Sequence, residues 1–170
     1  MKKNWRGLMK VLNIQHIRNN KVLYEEQNIL NTLHGGGEEY ILRVCFMNLD
    51  ISSAYYLGMD NRSAIDVDDT LSTIAALEPD GNGYVRSTLS SASSFTLTTN
   101  TSGNHQVNSP IITFRATALD WTRSVKNLFL STSSDSSGYL LASATLASTL
   151  PMTAGDMINV RLGLALRNCP

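Results

Sequence analysis

The second half of the chain is a close succession of short segments that read as β-strands, and this pattern limits the fold more than any other feature. The segments are 84–90, 95–99, 105–109, 111–118, 124–132, 139–146 and 157–167. Gly, Pro, Asn, Ser or Asp separates each from the next. Short strands at regular spacing, without helices between them, indicate antiparallel rather than parallel pairing. We therefore predict a mainly β protein, an antiparallel β-sandwich of the jelly-roll or immunoglobulin-like kind, with an N-terminal arm or hairpin and short helices.

The composition agrees with a sandwich. The 170 residues suit one domain, and only 16% of them are charged, against about 25% in an average soluble domain. Ser, Thr and Asn crowd 90–104 and 131–138 instead. Because β-branched Thr packs well on a pleated surface, these neutral polar residues suit the faces and turns of sheets.

The N-terminal third predicts a hairpin followed by two helices. Asn19-Asn20 is a good two-residue turn between a strand ending at Arg18 and another over 22–25. The apolar spacing in 25–34 favours a short helix that the glycines at 35–37 end. A second helix follows in EEYILRVCFMN. We expect a basic arm and hairpin at 1–26, a helical segment at 27–50 and the β-sandwich at 55–168.

The link between these parts holds one further strand and one helical turn. The strand is YYLGMD (55–60), and the helical turn in 68–78 is expected to be capped by Asp68 or Asp69. The segment EPDGNG (78–83) is a run of turn formers.

The charges are distributed unevenly along a chain whose net charge is zero. Zero net charge gives no electrostatic reason to bind nucleic acid or an acidic membrane. The first acidic residue is Glu25. The N-terminal segment is cationic because six basic residues come before it: Lys2, Lys3, Arg6, Lys10, Arg18 and Lys21. One interpretation is a solvated tail; the other is an arm that docks on an acidic patch of a neighbouring subunit, with Trp5 as its anchor. The residues predicted to bind a partner are Lys2, Lys3, Trp5, Arg6 and Lys10.

No motif in the sequence predicts an enzyme or a cofactor. HGGG (34–37) supplies oxyanion-hole amides in some hydrolases, but the G-x-S-x-G nucleophile motif that should accompany it is missing. The acidic residues at 66–69 lack the ligand series of an EF-hand, so a surface calcium site would need carboxylates from elsewhere. The histidines at 16, 34 and 105 have no metal-ligand spacing. We expect no catalytic residue, no metal and no cofactor.

The cysteines and aromatic residues are assigned mainly to the core. Cys45, in the apolar run YILRVCF, is expected to be a buried free thiol, and Cys169 an exposed one. Trp121 and the pair Tyr55-Tyr56 could form a carbohydrate-stacking platform. Core packing is the preferred interpretation because aromatic side chains contribute so much buried area.

Residues 55–167 resemble a β-sandwich module of tailed-phage structural proteins, those described as tail-fibre-like, head-fibre or decoration proteins. The resemblance rests on short blocks in a fixed order: YYLG, EPDGNGYVR, NSPIITFRAT leading to a Trp, SVKNLFLST, SGYLLASATL and TAGDMINVRLGLAL. It covers about two thirds of the chain. The long repetitive shaft of a tail fibre is missing, as is an identifiable receptor-binding tip.

The resemblance implies a non-enzymatic virion protein assembled in the bacterial cytoplasm. We expect a decoration or cement protein that binds major capsid, tail or neck proteins and copies of itself, with a trimer as the preferred homo-oligomer. The alternatives are a neck or tail adaptor, a fibre-anchoring protein of the tail, or a carbohydrate- or receptor-binding sandwich. No nucleic acid or membrane partner is expected.

Overall fold

A computed structural model describes residues 9–91, 93–99, 103 and 105–165. Its strands form two antiparallel sheets packed face to face, which confirms the predicted mainly β sandwich. The strands of the first sheet are β1 (Met9–Arg18), β2 (Lys21–Leu30), β6 (Thr96–Thr99), β7 (His105–Asn108), β8 (Ile112–Arg115) and β11 (Met157–Leu164). Those of the second are β3 (Thr32–Leu33), β4 (Ala54–Asp60), β5 (Ser87–Ser90), β9 (Val125–Ser131) and β10 (Leu140–Leu150).

The first sheet is built around β11. Strand β1 pairs along one side of β11, with β2 outside it. On the other side, β8 pairs with the beginning of β11 and β7 with its end, and β6 pairs with β7. The second sheet has the order β3-β10-β9-β4-β5. Helix α1 (Gly35–Phe46) packs on β10, and α2 (Leu71–Ile74) continues as a 3-10 turn over Ala75–Leu77.

The predicted hairpin is confirmed, but it belongs to the sandwich. Asn19 and Asn20 both have positive φ, 49° and 60°, as a type I′ turn requires. Val11 and Ile14 of β1 are fully buried in the main core, and β1 lies between β2 and β11. Residues 9–18, which the sequence analysis grouped with the arm, therefore supply part of the sandwich core.

The helix predicted over 25–34 is wrong. Strand β2 extends to Leu30 and β3 follows it. Ile29 faces the core while Leu30 is 75% exposed, so the segment alternates with a two-residue period along its pairing with β1. The helix predicted from Glu38 does form, but it begins earlier, at Gly35.

The glycines that were expected to separate two helices form the first turn of α1. A Cβ at Gly37 would overlap the carbonyl oxygen of Leu141 and lie 2.9 Å from its Cα. Glycine is therefore required there by the close approach of the α1 and β10 backbones, and not by a chain reversal.

The main core lies between the two sheets, and Trp121 is buried in it at 6% exposure. The core position preferred for Trp121 is confirmed, whereas Tyr55 and Tyr56 are half-buried. Trp121 donates its indole N–H to the Asn82 carbonyl at 3.3 Å, and its ring packs edge-on against Tyr84.

A smaller cluster covers the outer side of the second sheet. Ile65, Leu71 and Ile74 pack there against Phe129 and Leu140. The N-cap of α2 is Thr70, whose backbone N–H donates to Thr73 Oγ1 at 3.0 Å.

The expectation that Asp68 or Asp69 caps α2 is therefore wrong. Asp69 instead accepts hydrogen bonds from the Asp66 N–H and from Arg62, so its carboxylate organises the loop before the helix. Among the described residues, no helix is both long and apolar enough to cross a membrane.

Candidate functional site

Helix α1 is held on the sandwich by one face only. Gly37 and Tyr40 are buried against β10, and Val44 packs on the core. The Tyr40 ring contacts the rings of Tyr55 and Tyr139. The hydroxyl of Tyr40 accepts the Ser52 N–H at 2.8 Å, which ties the chain after the helix back to it.

The opposite face of α1 carries large apolar side chains in solvent. Leu42 and Phe46, one helical turn apart, are 55% and 80% exposed, and at 100° per residue both point away from the buried face. Three more exposed apolar residues follow the helix. We call the five residues the α1 surface: Leu42, Phe46, Met47, Leu49 and Ile51.

The end of α1 is shaped so that the exposed residues after it stay beside the helix. Asn48 has a φ of 56°, the left-handed conformation that ends many helices. The N–H of Leu49 then donates to the carbonyl of Arg43 at 3.2 Å. Arg43 also pairs with Glu39 at 2.8 Å across one helical turn, so charges of both signs border the α1 surface.

An apolar pocket of about 320 Å³ opens between the sheets beside α1. Its lining includes Tyr40, Ile51, Tyr55, Phe95 and Leu164. Because Ile51 belongs both to this lining and to the α1 surface, the two form one apolar region. The hydroxyls of Tyr40 and Tyr55 lie 3.3 Å apart at the pocket. Burial, with the hydrogen bond to Tyr40, raises the pKa of Tyr55. The residues that line the pocket include no Asp, Glu, Lys, Arg or His.

The partner-binding residues predicted from sequence do not coincide with this region. Lys2, Lys3, Trp5 and Arg6 lie outside the described residues. Lys10 is a half-buried residue of β1 that pairs with Leu30 and Gly163. It therefore belongs to the sheet and not to an arm.

Cys45 is exposed, so its predicted core position is wrong. The run YILRVCF is helical, and Tyr40 and Val44 take the side that faces β10, which leaves Cys45 on the outer side. Cys169 lies outside the described residues.

His34 and Ser143 form a pair that superficially suggests a nucleophile and its base. His34 Nε2 lies 2.8 Å from Ser143 Oγ, and its Nδ1 lies 3.3 Å from the Val67 carbonyl. Both side chains are buried, at 0% and 3% exposure. Burial lowers the pKa of His34, so its neutral ring donates to Val67 and accepts from Ser143. A substrate has no path to this serine, and the pair instead joins the start of α1 to β10.

Asp69, one of the acidic residues considered for calcium, is used in loop structure, since its carboxylate accepts hydrogen bonds from the Asp66 N–H and from Arg62. Asp60, which lies nearby in the sequence, is used in a similar way. Asp60 is fully buried; its Oδ1 accepts from the Arg62 N–H at 2.9 Å and from Asn127 Nδ2 at 3.1 Å. Burial raises the pKa of Asp60 above its usual value despite these bonds. Within the part of the chain that the structure describes, no three His, Cys, Asp or Glu side chains come together as a metal site.

The block EPDGNGYVR also forms a structural cluster. Arg86 pairs with Glu78, donates to the Ser133 carbonyl at 2.9 Å and lies 5.0 Å above the Phe129 ring. The Tyr84 hydroxyl donates to Glu78 at 2.7 Å and accepts the N–H of Met59 at 2.8 Å. These side chains tie the loop to the second sheet.

Sequence reasoning missed the α1 surface. The signal was present in the helical spacing of Leu42 and Phe46, but Tyr40 and Val44 give the same helix a second apolar face. Comparison of the chain with protein-family models finds no match, and a search of curated proteins finds none either.

Proposed function

We propose that this protein is a non-enzymatic structural component of a tailed-phage particle, which binds capsid or neighbouring subunits as a decoration or cement protein. The observation that carries the protein-binding part of the proposal is the α1 surface. The virion part is supported by the order of the sequence blocks between residues 55 and 167.

The α1 surface has the properties of a protein interface. Phe46 and Leu42 stand in solvent although burying each such side chain is worth about 1.5–3 kcal/mol. Contiguous apolar patches on a soluble protein mark interaction sites, and a few central anchors supply most of the binding energy of an interface. The adjoining pocket beside Ile51 can accept an apolar side chain of a partner.

The uses of the polar residues favour a structural role over a catalytic one. The Ser143–His34 pair is sealed inside the fold, and Glu78 and Arg86 are paired with each other. In both pairs, side chains that could take part in catalysis instead join one element of the sandwich to another.

The proposed arm remains a second contact in this function. Lys2, Lys3, Trp5 and Arg6 would add a cationic, aromatic attachment to an acidic patch of a capsid, tail or neck protein. The α1 surface and the arm are separate in sequence, so each can be altered without changing the other.

Mass spectrometry of purified particles of the phage that encodes the chain tests the proposal. We expect the protein to be a stoichiometric component. A copy number close to that of the major capsid protein would favour decoration of the head, and a copy number close to that of the neck or tail proteins would favour an adaptor. Absence of the protein from particles would overturn the proposal.

A binding experiment tests the arm. Particles lacking the protein are incubated with the full-length wild type or with a variant carrying K2A, K3A, W5A and R6A, and bound protein is quantified after sedimentation. We expect saturable binding of the wild type and loss of binding by the variant. Lys21→Ala is the matched control, since it removes an exposed cation at the β1–β2 turn and should leave binding unchanged. Equal binding of the wild type and the arm variant would show that the arm is not the attachment.

A further inference from the structure

We propose that the apolar pocket between the sheets is the docking site of Trp5 of the same chain, so that residues 1–8 turn back over the end of the sandwich when the protein is free. Trp5 lies outside the described residues, and the inference rests on the pocket and on the point where the described chain begins. It goes beyond the proposed function, because it concerns the chain before it meets a partner. An arm that later attaches to a capsid, tail or neck protein must first withdraw Trp5, so docking lowers the apparent affinity of that attachment.

The pocket lies at the end of the sandwich where β1 begins. Met9, the first described residue, pairs with Leu164 of β11, and Leu164 also lines the pocket. Neighbouring strands lie about 4.8 Å apart, so the wall of the pocket starts one strand away from Met9. Trp5 precedes Met9 by four residues, which span at most about 14 Å. The pocket is therefore within reach of the Trp5 side chain without any change in the sandwich.

The inner face of the first sheet is incompletely covered at this end. One row of paired residues crosses β1, β11, β7 and β6: Met9, Leu164, Val107 and Leu97. Directly opposed side chains of paired strands lie on the same face of a sheet. Along the row, Met9 is 1% exposed, Leu164 and Val107 are half-buried, and Leu97 is 68% exposed. The row thus passes from the closed core into an open apolar slot that a large apolar side chain would fill.

The chemistry of the lining fits an indole ring. The lining includes no acidic or basic side chain, so the cations at positions 2, 3 and 6 have no partner inside the pocket and stay in solvent. The Tyr40 hydroxyl accepts the Ser52 N–H and lies 3.3 Å from the Tyr55 hydroxyl. Whichever of the two hydroxyls donates, the Tyr55 oxygen keeps a lone pair for a further donor. The indole N–H of a buried Trp needs such an acceptor.

The other end of the chain is a poorer occupant of the pocket. Residues 166–170 follow Ala165 of the lining, but their only large apolar side chain is Leu166, which is smaller than an indole and has no donor for Tyr55. Trp5, by contrast, is followed directly by Arg6. An exposed carboxylate, Asp50, directly precedes Ile51 of the lining. An apolar pocket with an acidic residue next to its lining is complementary to a Trp that has a cation beside it.

Fluorine NMR of the full-length protein labelled with 5-fluorotryptophan tests the inference. The chain has two tryptophans, and Trp5→Phe identifies which resonance belongs to Trp5. The resonance of an exposed ring shifts between H2O and D2O, whereas that of a buried ring does not. We expect the Trp5 resonance of the wild type to be protected from this shift at every protein concentration, because the ring is buried within its own chain.

A larger side chain in the pocket should expel Trp5. Val107→Phe adds a ring to the lining, so the Trp5 resonance should acquire the solvent shift of an exposed ring. The matched control is Val85→Phe, which makes the same change at a residue that is 71% exposed elsewhere and should leave Trp5 protected. An unchanged Trp121 resonance, together with circular dichroism, shows that both variants are folded.

Tyr55→Phe provides a second readout in case Val107→Phe disturbs the sandwich. It removes only the hydroxyl that accepts the indole N–H, so the Trp5 resonance should move while the Trp121 resonance stays in place. The matched control is Tyr56→Phe, at the half-buried neighbour that is not among the lining residues. That substitution should move neither resonance.

Three results would overturn the inference: a wild-type Trp5 that is exposed to solvent, a protected Trp5 that neither Val107→Phe nor Tyr55→Phe affects, or protection that appears only as copies associate at higher concentration. The last result would mean that the pocket takes Trp5 of a neighbouring copy. These outcomes are distinct from failure of the proposed function. An exposed Trp5 in a protein that still decorates particles contradicts only the docking, and a docked Trp5 in a protein that is absent from particles contradicts only the virion role.

Discussion

His16 Nε2 lies 2.8 Å from the carboxylate of Asp156, and this contact joins the last part of β1 to the turn that precedes β11. Arg18 donates two further hydrogen bonds to Asp156, at 2.7 and 2.8 Å, and the Thr153 N–H donates a third at 3.0 Å. Asp156 is fully buried. Burial alone would raise the pKa of Asp156, but the bonds from Arg18, Thr153 and His16 outweigh it and hold that pKa well below its usual range.

Asp156→Asn should lower the free energy of unfolding by about 3 kcal/mol at neutral pH, because it leaves Arg18 and His16 facing an amide in place of a buried charge. Urea denaturation followed by circular dichroism measures this change. The control is Asp68→Asn, which alters an exposed carboxylate and should change stability by less than about 0.5 kcal/mol. Equal stability of the two variants would mean that the Asp156 cluster does not hold the hairpin to the sandwich.

The loss of unfolding free energy caused by Asp156→Asn should become smaller as the pH falls. The folded pKa of Asp156 lies below its unfolded value of about 3.9. The stability contributed by its ionised form is therefore fully present above that unfolded value, and it is lost as the pH falls towards the folded pKa. Unfolding free energies of the wild type and the variant, measured from about pH 6 down to about pH 2, should converge. If the two unfolding free energies differed by the same amount at every pH, the lowered pKa of folded Asp156 would be contradicted.

Asp60→Asn should show the opposite pH dependence. Because burial raises the folded pKa of Asp60, its contribution is fully present below the unfolded pKa and is lost as the pH rises through the folded value. In the same titration, the free energy of unfolding of Asp60→Asn should therefore increase relative to that of the wild type as the pH rises. Near neutral pH it should lose no more than about 1 kcal/mol, since the charged form is the disfavoured one. A loss as large as that of Asp156→Asn would contradict this account.

Ser143 should be inert to fluorophosphonate probes that label activated serines. Although its hydroxyl lies 2.8 Å from His34 Nε2, both groups are buried and the other ring nitrogen faces a backbone carbonyl. Mass spectrometry of the intact protein after treatment should show no adduct, with a serine hydrolase as the positive control. A stoichiometric adduct on Ser143 would contradict the non-enzymatic role that we propose.

The sandwich could be predicted from the sequence because the turns between its strands have characteristic residue types. The turn at Asn19 and Asn20 and the glycine turns at 81 and 83 require positive φ, and their residue types show it. The helix expected over 25–34 failed because Ile29, Leu30 and Leu33 fit both a helix and a strand. Pairing with β1, a contact between segments, decided the outcome.

The candidate site was harder to predict from the sequence because its position depends on how α1 packs. Nothing local in YILRVCF tells which apolar face of α1 meets β10. Tyr40 is buried and Phe46 is exposed because α1 lies on β10 along its Gly37 side, where the helix approaches Leu141 closely. The arm residues were predicted from basic charge and from the isolated Trp5, and Lys10 among them is a strand residue.

Gly37→Ala and Gly35→Ala should have very different effects on stability, although both replace a glycine in the first turn of α1. The Cβ that Gly37→Ala adds would overlap the Leu141 carbonyl, so the helix must shift away from β10, at a cost of about 2 kcal/mol or more. At Gly35 nothing lies within 4 Å of an added Cβ, and restricting the unfolded chain should leave stability unchanged or raise it by up to about 1 kcal/mol. Thermal and urea unfolding of both variants measures the contrast. If the glycines mattered only as a flexible reversal, the two substitutions would cost the same, and the close packing of α1 on β10 that sets the direction of the α1 surface would be in error.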